Sequence, residues 1–201
     1  MNHLKDHHEL KNRYFVMRHG ESKANVAGII ISTPENGVKQ DYALSELGRE
    51  QARVSAEKSH LGPNTVIYAS DFSRARETAE IVAGVIGANP PIISGALRER
   101  TFGEFEEKSN AHYDDVWAHD AHSGDHTEFG VESVNANVKR TTAFILELEE
   151  KYNNKDILLV SHGDTLQILQ TAFDRVDAHT HRSLKHLETA EIRPVVLAKE
   201  S

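Results

Sequence analysis

Apolar and polar positions along the chain follow two periods. Short apolar runs begin near Arg13, Thr65 and Asp156 and carry aromatic and β-branched residues. They read as buried strands ending at Arg18-His19, Ala69 and Val160. Pro90–Ile93 reads as a further short strand. Ala190–Ala198 reads as a last one, and Pro194 favours a sheet edge for it. Between the strands the period lengthens. Val134, Val138, Thr141, Ile145, Leu148 and Tyr152 recur at steps of four and three, which predicts an amphipathic helix over Glu132–Tyr152. Ala75, Ala79, Val82 and Ile86 make the same stripe on a helix that starts after Ser73. Ser45 is an N-cap for a helix running to about Ser59, with Glu46 and Glu50 near its start. The strand at Asp156 leads through Ser161-His162-Gly163-Asp164 into a helix through Phe173. Alternating strands and helices of this kind define an α/β chain.

Three stretches lack a clear period. Glu21 to Gln40 holds Gly28, Pro34, Asn36 and Gly37 and reads as a long irregular connection; its Ile29-Ile30-Ile31 run is either a short strand or an apolar patch over a pocket. Leu97–Ser109 fits neither helix nor strand. Asn110 to Phe129 is acidic and rich in histidine, with Trp117 in a short helix, and reads as a lid-like excursion. Residues 1–12 are polar, carry His3, His7 and His8, and are expected to be a flexible tail. Residues 13–201 are expected to form a single domain.

Composition narrows the chemistry. The chain has 201 residues and a net charge of −8 with histidine neutral. That balance argues against broad binding to nucleic acid or anionic membranes. Thirteen histidines would carry the charge to +5 if all were protonated. Cysteine is absent, which excludes disulfides and cysteine nucleophiles. No apolar run is long enough to span a bilayer, and the N-terminus lacks a signal-peptide core, so the cytoplasm is the expected compartment.

Three predicted strands end near chemistry-bearing residues: Arg18-His19, Arg74 and His162. Ligands in open α/β sheets collect beyond the carboxyl ends of the strands. If these strands are parallel neighbours, two arginines and two histidines converge there. Arginine offers fixed, permanently charged donors that match phosphate oxygens, so a phosphate-sized anion is the expected occupant.

With those positions marked, the chain resembles the histidine phosphatase (phosphoglycerate mutase-like) superfamily. The resemblance is carried by Arg18-His19-Gly20-Glu21-Ser22 with Asn25, by Leu44–Ala52, by Ser70–Ala79, by Leu97-Arg98-Glu99 with Phe102–Glu106, and by Ser161-His162-Gly163. It implies a three-layer sandwich with a mostly parallel central sheet and helices on both faces. It also implies phosphomonoester hydrolysis through a phosphohistidine, without metal or other cofactor, on a small phosphorylated metabolite. On that resemblance His19 is the nucleophile, Glu99 the general acid, and Arg18, Arg74 and His162 surround the phosphoryl group. Asn25, Gly163, Ser22 and Arg100 join the substrate-binding set. A cofactor-dependent phosphoglycerate mutase is one alternative, although the insertion typical of that subgroup is missing. A non-catalytic phospho-ligand module is another. Phe72, Glu107 and the extra residue in Gly130-Val131-Glu132-Ser133 depart from the usual motifs; none is expected to touch the chemistry, and all three are positioned to reshape the substrate pocket.

Overall fold

The computed structural model describes residues 2–199; Met1 and the last two positions of the expected domain lie outside the described residues. Five strands form one sheet: β1 (Arg13–Arg18), β2 (Val66–Ala69), β3 (Ile92–Ile93), β4 (Asp156–Ser161) and β5 (Ile192–Val195), in the order β3-β2-β4-β1-β5. The β1–β4, β2–β4 and β2–β3 pairs are parallel, and β5 closes the sheet antiparallel to β1. Pro194 sits in that edge strand opposite Phe15, where a missing N–H is tolerated.

Alternation of side chains divides the core into two layers. On one face Tyr14, Val16, Tyr68, Ile157 and Leu159 pack against helices α6 (Val134–Lys151) and α7 (Gly163–Asp174). On the other face Met17, Ile67, Ala69, Leu158 and Val160 pack against α3 (Glu46–Lys58) and α4 (Ser73–Ile86). The chain leaves β1 toward α3 and leaves β4 toward α7, on opposite faces. The crevice between these neighbouring strand ends is therefore a topological switch point, where ligands bind in such sheets.

The irregular stretches are ordered by short elements. Between β1 and α3 lie α1 (Lys23–Ala27) and α2 (Pro34–Gly37). Ile29 forms a single bridge to Ser109. The Asn110–Phe129 excursion carries α5 (Tyr113–Asp120). Glu106 staples the connection after β1: its carboxylate accepts from Ser32, Thr33 and Asn36 at 2.7–3.2 Å.

The expected flexible tail is corrected. Leu4 is fully buried in the α6/α7 layer, beside Tyr14 and Phe173. Backbone and side-chain donors fasten the segment to α6: His3 N to Thr142 Oγ1 at 3.1 Å, and Asn12 Nδ2 to Glu149 Oε1 at 2.8 Å. One leucine among charged residues gives no periodic signal, yet it fills a core site.

Candidate active site

The carboxyl ends of β1 and β4 set the floor. The ladder continues one residue past β1, with His19 N donating to Ser161 O at 3.0 Å, so His19 is held rigidly at the switch point. Its ring is buried, 3 % exposed. Nδ1 lies 2.7 Å from the Gly20 carbonyl and Nε2 lies 3.1 Å from Arg74 Nε. The carbonyl can only accept and the guanidinium can only donate. The two contacts therefore select one tautomer: Nδ1 bears the proton and Nε2 presents a lone pair. Burial, reinforced by Arg74 and Arg18, holds the imidazole well below its ordinary pKa and keeps it neutral.

Close backbone approach fixes this loop. A Cβ at Gly20 would meet the Gly48 carbonyl oxygen at 2.3 Å, so the first turn of α3 can seat directly under the motif. Other motif residues brace the seat without lining the cavity. Ser45 Oγ donates to Glu21 at 2.6 Å, and Arg49 Nε donates to Glu77 at 2.6 Å.

Around His19 the donors converge. Arg74, 5 % exposed in the first turn of α4, also donates Nη2 to the Ile31 carbonyl at 2.8 Å. Arg18 donates Nη1 to His186 Nε2 at 2.8 Å and to the Leu187 carbonyl at 3.1 Å. Because arginine donates, His186 Nε2 is an acceptor and that ring is also neutral. Burial and the charges of Arg18 and Arg182 push it the same way. Arg18 Nε, Arg74 Nη1 and His162 Nδ1 are buried and have no hydrogen-bond partner among the described residues. Unpaired buried donors are rare in folded proteins, and Arg18 and Arg74 line the cavity, whereas His162, expected in the binding set, is not among the residues that line it. His162 stands behind His19, their ring centroids 5.2 Å apart, with Nε2 3.0 Å from Ser70 Oγ.

Glu99 completes the site from the segment without a periodic pattern. Its Oε1 accepts the backbone N–H groups of Arg100 and Thr165 at 2.9 and 3.0 Å, which leaves Oε2 for the pocket. Burial, and then the charge of Asp164, raise its carboxyl above the usual range; the two backbone donors and Arg74 oppose that. A carboxyl with raised pKa at the mouth of an anion site is suited to giving and taking a proton.

The cavity measures about 240 Å³ and is lined by Arg18, His19, Arg74, Glu99 and Gly163, among others. Asn25 and Ser22 line it too, at the start of α1. Ser22 Oγ is occupied in the helix cap, accepting from Asn25 N at 3.1 Å and donating to Asn25 Oδ1 at 2.9 Å. That bond holds the Asn25 carboxamide with its amide nitrogen available as a donor.

Two expectations are corrected. Arg100 is not in the pocket: it is completely buried, forked onto Asp120 at 2.6 and 2.7 Å. Its partner lies twenty positions away on the excursion and could not be read from the motif. Phe72, expected not to touch the chemistry-bearing groups, does so: its ring packs edge-on against His162 at 5.0 Å, and the Arg74 guanidinium lies 5.2 Å above it. Glu107, by contrast, sits at φ 60°, a conformation that favours the glycine usual there.

Among the wall residues that escaped the sequence reading are Tyr113, Trp117, Arg182 and His186. Tyr113 and Trp117 stack at 5.2 Å on α5, and the Arg182 guanidinium covers Trp117 at 3.6 Å. The i, i+4 aromatic spacing on α5 was the signal available for the first two. Nothing local marks the others. Among the described residues no three His, Asp or Glu side chains gather as a metal-holding set, and no helix is long and apolar enough to cross a membrane.

Comparison with known proteins agrees with this geometry. The chain is 32% identical over 177 residues to a probable phosphoglycerate mutase GpmB of Photorhabdus laumondii subsp. laumondii, covering 85% of this chain and 79% of that one. It is 28% identical over 162 residues to a putative phosphoserine phosphatase 2 of Hydrogenobacter thermophilus, covering 78% and 76%. In fold it resembles the native mycobacterial glucosyl-3-phosphoglycerate phosphatase, with a TM-score of 0.73 over 90% of this chain and 88% of that one at 24% identity. The model of the histidine phosphatase superfamily (branch 1) matches residues 14–201, and the chain belongs to that family.

Proposed function

We propose that the protein hydrolyses the phosphomonoester of a small metabolite through a phosphohistidine at His19. The observation that carries this is the doubly anchored imidazole, whose Nε2 lone pair faces the cluster of unpaired donors. In the first step Nε2 attacks phosphorus, and the bond to the ester oxygen breaks. Arg74 Nε turns from Nε2 to a phosphoryl oxygen, while Arg18 and His162 supply further donors for the charge on the equatorial oxygens. Glu99 gives its proton to the departing alkoxide. In the second step the Glu99 carboxylate takes a proton from water, the oxygen attacks phosphorus, and the P–N bond breaks. Phosphate leaves and Nε2 recovers its lone pair. Arginine charge does the neutralising, so activity should persist in a chelator.

Glu99→Gln tests the assignment. Turnover of an alkyl phosphate should fall by about 10²–10⁴-fold. An aryl phosphate with a good leaving group should still form an acid-labile phosphoenzyme at near the parent rate. Equal losses on both substrates would remove the acid role, and no phosphoenzyme in the parent chain would remove the covalent step. The probable mutase relative gives a second reading. Supplying phosphoglycerate with a bisphosphoglycerate primer separates the two: free phosphate is expected, and isomer accumulation would reverse the assignment.

A further inference from the structure

The buried ionic cluster around Arg100 takes no part in the two steps above. Besides its fork onto Asp120, Arg100 reaches Asp164 at 3.2 Å. Asp164, with a side chain 3% exposed, also accepts from Trp117 Nε1 at 3.1 Å and from His181 Nε2 at 3.2 Å. The other nitrogen of His181 lies 3.2 Å from the Ala178 carbonyl. Both partners of this fully buried ring are acceptors. Asp120 accepts in addition from His126 Nε2 at 2.6 Å. Arg100 and His181 thus face Asp120 and Asp164 out of water, joining α5, the start of α7 and the turn at Ala178–Ser183.

We propose that Asp164 is a positioning residue for the reaction: its buried charge keeps the proton on Glu99, and Arg100 and His181 set how much of that charge Glu99 feels. The proposal rests on Glu99 acting as the acid. Thr165, the next residue after Asp164, donates its N–H to Glu99 Oε1, which fixes the two carboxylates relative to each other. Glu99 is faced by Arg18 from β1, Arg74 from α4, Tyr113 from α5 and Asp164 from α7. On its far side a second cavity of about 220 Å³ brings Arg98, Glu132 and Arg140 beside it. Glu132 is neutralised by Arg140 at 2.6 Å, and Arg98 by Asp71 at 2.6 Å. Asp164 is the carboxylate that shares the catalytic cavity with Glu99 and is fixed to it through the next residue, Thr165. Burial resists the charge on Asp164, but the hydrogen bond and charge of His181, with Arg100, outweigh it and hold its carboxyl well below the usual range.

The test uses two substitutions of opposite sign, read in the alkaline limb of kcat/KM for an alkyl phosphate. Asp164→Asn keeps an acceptor for Trp117 and removes the negative charge. Its limb should move down by about one pH unit or more. His181→Gln removes the imidazole that contacts Asp164 and leaves the Asp164 charge less compensated, so its limb should move up. Loss of packing alone would lower activity at every pH and leave the limb in place. Limbs that stay at the parent position, or move in the same direction, overturn the proposal. If Asp164→Asn fails to fold, an unmoved limb in His181→Gln overturns it. A limb that survives unchanged in Glu99→Gln would instead refute the acid reading beneath it.

Discussion

The two buried imidazoles at the site should make the protein acid-sensitive, and the size of that effect follows from the structure. His19 and His162 are 3 % and 0 % exposed, and both are held well below the ordinary histidine pKa by burial first and by Arg74 next. In the unfolded chain each returns to about 6.5. Below that pH the unfolded state binds protons that the folded state refuses, so stability falls as pH falls. Each ring contributes at most about 1.4 kcal/mol per pH unit, and the pair approaches about 2.7 kcal/mol between pH 6 and pH 5. The assay is urea unfolding at pH 7.5, 6 and 5 on the parent chain and on a His19→Gln/His162→Gln double variant. The glutamine amide introduced at the second of these positions can still reach Ser70, which limits the structural change. The other eleven histidines are common to both chains and cancel in the comparison. The parent should lose stability more steeply than the variant by about that amount. Equal slopes would mean that both rings take up a proton in the folded state as readily as in the unfolded chain, and the neutral Nε2 nucleophile would fall with them.

Two further perturbations address the scaffold and the anion floor. Arg74→Lys replaces a fork that contacts His19 and the Ile31 carbonyl with a single ammonium; phosphoenzyme formation from an aryl phosphate, followed by quench flow, should slow by about 10²–10³-fold, and a loss below tenfold would place Arg74 outside the phosphoryl contacts. Leu4→Ala should cost about 2–5 kcal/mol in urea unfolding while kcat on an aryl phosphate stays unchanged; a cost below about 1 kcal/mol would show that residues 2–12 are not docked on α6.

What was legible in the sequence is what depends on neighbours in the chain. The strands, the main helices and the edge position of Pro194 follow from apolar period and proline geometry. The position of the floor followed because its groups sit at or just beyond strand ends, where topology gathers them. Arg100 marks where such reading fails. A cation beside the acid in a motif looks like a ligand, and only the buried Asp120, brought in by the fold of the excursion, shows that it is not. Arg182 and His186 failed for the opposite reason: they lie in a turn of no period, and only tertiary packing brings them to Trp117 and Arg18. Leu4 is a third kind of miss, a single apolar anchor whose partners all come from later in the chain.

Floor and walls thus have different origins, and their division follows the order of the chemistry. In the proposed reaction the groups that would meet the phosphoryl unit stand on strand ends and helix first turns, pinned by the β1–β4 ladder and by the contact of Gly20 with Gly48. They would act in both steps, because that reaction attacks the same phosphorus twice. The walls, from Ile29, Ile31, Tyr113, Trp117, Arg182 and His186, would meet only the alcohol, which departs in the first step. Hydrolysis of the proposed phosphohistidine would therefore proceed on the same groups whichever alcohol has left. The walls can vary to suit different alcohols without touching the second step, provided the charge cluster behind α5 stays intact. Asp164 belongs to both parts: it lines the cavity, anchors Trp117 and stands beside Glu99. In the proposed reaction the walls can thus change at their surface, whereas their attachment at Asp164 would be constrained by the proton that Glu99 is proposed to deliver.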